Sequence, residues 1–205
     1  MTWGRAYAEV VTAVLRDAAR DVFCQVLRSV EPTAPTLCDG WTAHRLAAHV
    51  SALSDDPWVW VLMVTSPATV DHRLAAIERR SSYEELIERI ATRRGFRCMP
   101  FDALEGNRHA LGEFVIHTED VRRANGLVAA APVGELADAL WQRTQVAARQ
   151  LHRRGPGLRL VRTDAAGGEF EVVGGEGSVV SGPVLEVLLW VYGRRTAEVQ
   201  VRPRS

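Results

Sequence analysis

Apolar residues recur at helical spacing over roughly the first three quarters of the chain. From Arg5 to about Leu27, the residues Tyr7, Val10, Val11, Val14, Leu15, Ala18, Val22, Phe23 and Val26 predict one side of a long amphipathic helix, with Arg16, Asp17, Arg20 and Asp21 opposite. Pro32 and Pro35 break this pattern, and Thr42 is placed to cap a second helix with Leu46, Ala47, Val50 and Leu53 inward. A third helical stretch runs from Val70 to Arg80 with Leu74, Ala75 and Ile77 inward. Ser82-Tyr83-Glu84-Glu85 is a capping box for a fourth, with Leu86, Ile87 and Ile90 inward. Asp102 is placed to cap the next, which ends at Asn125-Gly126, and another spans about Glu135 to Arg153 with Leu136, Leu140, Val146, Ala147 and Leu151 inward.

Beyond Gly155-Pro156-Gly157 the period changes. Leu158–Thr163, Glu169–Val173, Val179–Ser181 and Glu198–Val201 read as short strands, with a helix from Pro183 to Tyr192 between the last two. The fold class expected is therefore mainly α, with a helical bundle over 1–155 and a small α+β domain over 156–205. Gly167-Gly168 and Gly174-Gly175-Glu176-Gly177 lie between strands with no helix directly after them, so they read as hairpin turns and not as a phosphate-binding loop.

Composition narrows the function classes. The 25 basic and 25 acidic residues cancel, leaving no global field to attract a polyanion, so nucleic acid is not an expected partner. Every basic residue is Arg, which excludes lysine Schiff-base chemistry. Cys24, Cys38 and Cys98 are odd in number and lack CxxC spacing, and no signal region opens the chain, so a reducing cytoplasm is the expected location. The longest apolar run, Pro57–Val64, is far short of the roughly 20 residues that span a bilayer, and no membrane partner is expected. Being apolar all round, it fits a buried helix, with a ligand pocket or a homodimer contact as the alternatives.

The chemistry-bearing candidates sit on two of the helices. Glu113 and His117 are four residues apart and share one helix face, so both can reach a common point. An inward Glu and His that simply satisfy each other is the ordinary outcome of this spacing. A third donor from elsewhere turns the pair into a metal site, and His49 on the second helix is the candidate. Two imidazoles and one carboxylate suit Zn²⁺ or another divalent transition ion and leave a position open for water or substrate. His109 extends the Glu113 face but stands about 12 Å along the axis from His117, so it could bind at the edge or orient Glu113. Asp120, one turn after His117, is a candidate second-layer partner, Glu119 and Arg122 are expected toward solvent or a neighbouring helix, and Cys38 is a weaker candidate ligand near the start of the His49 helix.

Thr36-Leu37-Cys38-Asp39-Gly40-Trp41-Thr42 followed by Leu46-Ala47-Ala48-His49, then Glu113-Phe114-Val115-Ile116-His117 with Glu119 to Ala124, resembles the DinB-like superfamily, in particular the mycothiol-dependent maleylpyruvate isomerase family and its metal-binding relatives. Leu188 to Gly193 looks like part of the small C-terminal domain attached in those relatives. The resemblance implies a four-helix bundle holding a divalent metal, usually zinc, through His49, Glu113 and His117. It also implies a low-molecular-weight thiol such as mycothiol as cosubstrate, with a metal-bound thiolate used for isomerisation of, or transfer to, a small electrophilic substrate. The alternative is a metal- or ligand-binding protein without turnover. The chain departs from the family motif at Arg45, commonly Asp, and at Thr118, often a second His.

Overall fold

The computed structural model describes residues 3–55, 65–92, 107–128 and 130–204. The expected loop around Cys98, the Asp102 cap and the Pro57–Val64 run lie outside these residues. Seven helices and one four-stranded sheet make up the described chain: α1 (Trp3–Arg28), α2 (Ala43–Asp55), α3 (Pro67–Arg80), α4 (Tyr83–Thr92), α5 (Arg108–Ala124), α6 (Gly134–Leu151), β1 (Leu158–Arg162), β2 (Glu169–Val173), β3 (Ser178–Gly182), α7 (Val184–Val191) and β4 (Gln200–Pro203). Among them no helix is long and apolar enough to cross a membrane.

The chain forms two compact units, residues 1–129 and 130–205. In the second unit α6 packs on α7 and β2. It buries Ala137, Leu140, Trp141, Thr144 and Ala147, while Leu151, expected inward, is exposed.

In the first unit α1 packs on α4 and α5, and α2 on α3 and α4. Phe23, Leu27, Leu46, Ala47, Val50, Leu53, Leu74, Leu86, Ile87 and Ile90 form its core. The inward face of α1 differs from the expected one in its first half: Val10 and Val14 are each 64 % exposed, whereas Thr12 is buried. Arg16 turns inward, and its Nη1 donates to Asn107 Oδ1 at 2.6 Å, tying α1 to the start of α5. Further along α1 Phe23 meets Phe114 of α5 at 6.1 Å between ring centroids, so a polar tether holds the helix where apolar content alone suggested Val10 and Val14. Ser82 and Glu85 form the expected box: the Ser82 N–H donates to Glu85 Oε2 at 2.7 Å and the Glu85 N–H to Ser82 Oγ at 3.3 Å.

In the second unit the strand order is β2-β1-β3-β4, with β1 antiparallel to β2, parallel to β3, and β3 antiparallel to β4. The Gly167-Gly168 turn joins the antiparallel neighbours β1 and β2, as expected of a hairpin. Gly174–Gly177 does not: it carries the chain from β2 past the start of β1 to reach β3. That path brings two backbones together, and a Cβ on Gly177 would stand 2.1 Å from the Gly157 carbonyl oxygen. Arg162 locks the unit internally. Its guanidinium donates to Asp138 Oδ1 on α6 at 2.8 Å and to Asp164 Oδ2 at 3.0 Å, and Asp164 Oδ1 in turn accepts the Val184 N–H at the start of α7 at 3.1 Å.

Candidate metal centre

The loop between α1 and α2 is shaped by its own short polar residues. Pro35 and Thr42 pair as an isolated antiparallel bridge. Inside that bridge Thr36 Oγ1 donates to the Trp41 carbonyl at 2.9 Å and accepts the Cys38 N–H at 3.2 Å. Thr42 then caps α2 as expected, its Oγ1 accepting the Arg45 N–H at 3.2 Å. Arg45 closes no capping box, and its guanidinium instead holds α3 through Glu78 at 2.6 Å and Asp71 at 3.0 Å. The Leu37 N–H donates to the Asp120 carbonyl at 3.0 Å, pinning the loop to the last turns of α5.

This packing brings His49 from α2 to the face of α5 that carries Glu113 and His117. One donor atom from each of the three lies within 4.8 Å of the others. His49 is 3 % exposed and His117 6 %, and their rings meet edge to face at 5.3 Å between centroids. Trp41, delivered by the loop, also packs on the His49 imidazole, at 5.1 Å and 61°. Ring against ring on both sides restricts how the His49 imidazole can turn.

The protonation pattern follows from the contacts. His117 Nδ1 lies 2.9 Å from Asp120 Oδ2, and His117 Nε2 lies 3.3 Å from Glu113 Oε2. Burial works against a charged imidazole here, but hydrogen bonds to Asp120, Cys38 and Glu113 outweigh it and hold His117 well above the usual histidine value. Burial likewise opposes ionised Glu113, yet the hydrogen bond and charge of His117, with His109 and His49 beyond, bring its carboxyl down to about 2. In the metal-free protein these contacts favour the charged form of His117 and the ionised form of Glu113. His109 Nε2 stands 3.6 Å from the other Glu113 oxygen, Oε1, which matches an orienting position more than a ligand position.

The donor set fits a divalent cation. Asp120 accepts the Nδ1 proton, which leaves Nε2 of a neutral His117 with its lone pair toward Glu113, the carboxylate–histidine arrangement that fixes metal-ligating imidazoles. Ligand bonds of about 2.0–2.2 Å set donor separations of roughly 3.3 Å around a tetrahedral ion, which the Glu113–His117 spacing of 3.3 Å already meets. Two nitrogens and one oxygen leave one position open.

Sequence reasoning placed Asp120 beside His117, and the structure agrees. It did not find that Cys38 Sγ donates to the same Asp120 oxygen at 3.3 Å, a contact across 82 positions that only the loop geometry creates. Nor did it find Trp41 on His49; the sole signal was the proximity of both to Thr42. Glu119, expected toward solvent or a neighbour, is buried and held by Arg123 at 2.9 Å and Arg122 at 3.6 Å.

No protein-family model and no curated protein matches this chain. Two crystal structures do share its fold. A mycothiol-dependent maleylpyruvate isomerase superposes with a TM-score of 0.66 and 18 % identity, over 94 % of this chain and 92 % of that one. A histidine-to-alanine variant of that isomerase gives a TM-score of 0.65 with the same identity and coverage. The chain thus has the fold of the mycothiol-dependent maleylpyruvate isomerase structures, helical with a small C-terminal sheet.

Proposed function

We propose that this chain is a divalent-metal-dependent enzyme of the thiol-dependent transferase or isomerase class, acting on a small electrophilic substrate. The observation that carries the reading is the convergence of His49, Glu113 and His117 donor atoms within 4.8 Å of one another on α2 and α5. It is supported by the shared fold, since the structural neighbour is by its name a mycothiol-dependent isomerase. In this reading α1, α2, α4 and α5 are a DinB-like four-helix bundle, and zinc is the metal that the donor set favours.

A cation bound there supplies positive charge that lowers the pKa of a coordinated thiol and holds its sulfur beside an electrophilic carbon. The chain's own residues do the rest. His49, Glu113 and His117 would hold the cation, and with only three protein donors it would remain accessible to the thiol. Asp120 holds the Nδ1 proton of His117, so that Nε2 is the donor nitrogen. His109 orients Glu113 from Oε1, and Trp41 limits rotation of His49. Burial of the donors keeps bulk water from competing and strengthens each charge interaction.

The test has two stages. Protein purified without added metal is analysed for bound elements beside His49→Ala and His117→Ala; wild type is expected to hold one equivalent of a divalent ion and the variants far less. Equally low metal in all three would end the reading. Loaded protein is then incubated with mycothiol, glutathione or cysteine and a panel of small electrophiles, including a cis-configured unsaturated diacid. Formation of conjugate or trans isomer that depends on both thiol and metal is the expected result.

A further inference from the structure

His117 is shared by two groups of potential metal donors, and the second of them is not explained by the proposed function. Cys38, His117 and Asp120 also place one donor atom each within 4.8 Å of one another. Cys38 Sγ lies 3.3 Å, and His117 Nδ1 2.9 Å, from the same oxygen of Asp120. Asp120 is fully buried at the base of the cluster, and Cys38 is half-buried. The cluster is also preorganised. The Leu37 N–H is fixed on the Asp120 carbonyl, and Thr36 Oγ1 holds the Cys38 N–H.

The two groups use opposite nitrogens of one imidazole. His117 Nε2 faces Glu113 at 3.3 Å, whereas Nδ1 faces Asp120. A neutral imidazole has one proton and one lone pair, so it gives a lone pair to only one of these sides at a time. With Nε2 as donor, the Nδ1 proton rests on Asp120; with Nδ1 as donor, the Nε2 proton rests on Glu113. Either tautomer is satisfied by a carboxylate already in place. The donor sets also differ in softness, since one offers two nitrogens and an oxygen and the other includes sulfur.

The geometry points to a second cation site, formed by Cys38 Sγ, Asp120 Oδ2 and His117 Nδ1, that takes a thiophilic ion and competes with the His49–Glu113–His117 site for the same imidazole. Bonds of about 2.3 Å to sulfur and about 2.0 Å to nitrogen and oxygen need donor separations of roughly 3.3–3.6 Å; Cys38 Sγ already stands 3.3 Å from Asp120 Oδ2, and the His117–Asp120 spacing of 2.9 Å has only to open slightly. Binding forms metal–sulfur, metal–oxygen and metal–nitrogen bonds and releases the thiol proton to solvent. The charged imidazole also gives up its Nδ1 proton to solvent, its Nε2 proton stays toward Glu113, and nothing is oxidised or reduced. The competition, though not the site itself, rests on the proposed three-donor site.

Cadmium is the probe, because its thiolate bond gives a charge-transfer absorption that nitrogen and oxygen ligands do not. The full chain is used in a Cys98→Ser background, so that Cys38 and the buried Cys24 are the thiols present. Cadmium titrated into metal-free protein is expected to raise the band to saturation near one equivalent. Cys38→Ser, which keeps a hydroxyl donor toward Asp120, should abolish the band, and His49→Ala should retain it. With one equivalent of zinc bound beforehand, the band should grow only as zinc is released. In unsubstituted protein, cadmium should slow alkylation of Cys38 at least about tenfold, a readout that needs no substitution at the site. A band that survives Cys38→Ser, or alkylation that cadmium leaves unchanged, overturns the proposal. A band that forms while all zinc stays bound overturns the competition. Failure of the three-donor reading looks different: His49→Ala would then hold as much zinc as wild type, with the cadmium band unaffected.

Discussion

Asp120→Asn isolates what the buried carboxylate does for the metal centre. The side chain keeps its size, and the Asn Oδ1 can still accept the Nδ1 proton of His117, now 2.9 Å from Asp120 Oδ2. What is lost is the charge that makes the Nε2 lone pair a better donor and fixes its tautomer. Changes of this type beside a metal-ligating histidine cost about 10–100-fold in affinity, or about 1.4–2.8 kcal/mol. The loss should depend on pH. In the metal-free protein Asp120 also holds a proton on His117, and the cation must displace that proton. Removing the charge therefore makes the proton easier to displace as well as making the metal bond weaker. The two effects offset each other below the raised value of His117, and above it only the weaker metal bond remains. Competition against a calibrated zinc chelator at several pH values measures this. The ratio of wild-type to Asp120→Asn affinity should grow as pH rises. An unchanged affinity at the alkaline end, with the variant folded, would refute the claim that Asp120 supports the metal through His117.

Stability of the metal-free protein should fall as pH rises above the usual histidine value, because a raised folded-state His117 stabilises the fold fully below that value and the contribution is lost as pH climbs through the raised one. The zinc-loaded protein should show no such loss in thermal melts over the same range. At the acid end, depressed Glu113 contributes stability above the ordinary carboxylate value, and this should decay as pH falls toward its folded value of about 2, visible as acid unfolding that Glu113→Gln blunts. Ser82→Ala removes the oxygen that accepts the Glu85 N–H and should cost about 1 kcal/mol in urea unfolding, with metal content unchanged. Gly177→Ala puts a methyl 2.1 Å from the Gly157 carbonyl oxygen and should cost about 1–3 kcal/mol in the same assay, whereas alanine at exposed Gly155 should cost far less. Cys24, buried and with its thiol pushed up to about 11, should resist iodoacetamide at neutral pH until urea opens the core, as peptide mapping would show.

Helices, strands and the shared helix face of Glu113 and His117 were legible in the sequence because each leaves a local periodic trace. The Leu46–Val50–Leu53 stripe marks α2, the change of period after Gly157 marks the sheet, and Glu113 and His117 fall one helical turn apart. Partners set by a path through space leave no such trace. α6 is amphipathic in sequence whichever unit it joins, so its packing on α7 and β2 could not be read from its own pattern. Val10 and Val14 mislead for a related reason. An apolar stripe predicts the buried face only where apolar contacts decide, and in the first half of α1 the Arg16–Asn107 tether decides instead. Gly174–Gly177 has the composition of a hairpin but serves a crossover, since β1 lies between the strands it joins.

The same distinction separates the two nitrogens of His117. Its Nε2 side is written in a helical repeat and in one motif residue on α2. Its Nδ1 side depends on Thr36 folding a seven-residue loop so that Cys38, 82 positions away, meets Asp120. Helix periodicity fixes direction along one face, and the i to i+3 step from His117 to Asp120 is of that kind. The thiol arrives by loop geometry alone, held by the Thr36 hydroxyl, which accepts the Cys38 N–H, and by the Leu37 N–H, which donates to the Asp120 carbonyl on α5. A change at Thr36 should therefore disturb Cys38 before it disturbs the Glu113–His117 pair, whose spacing is set within one helix.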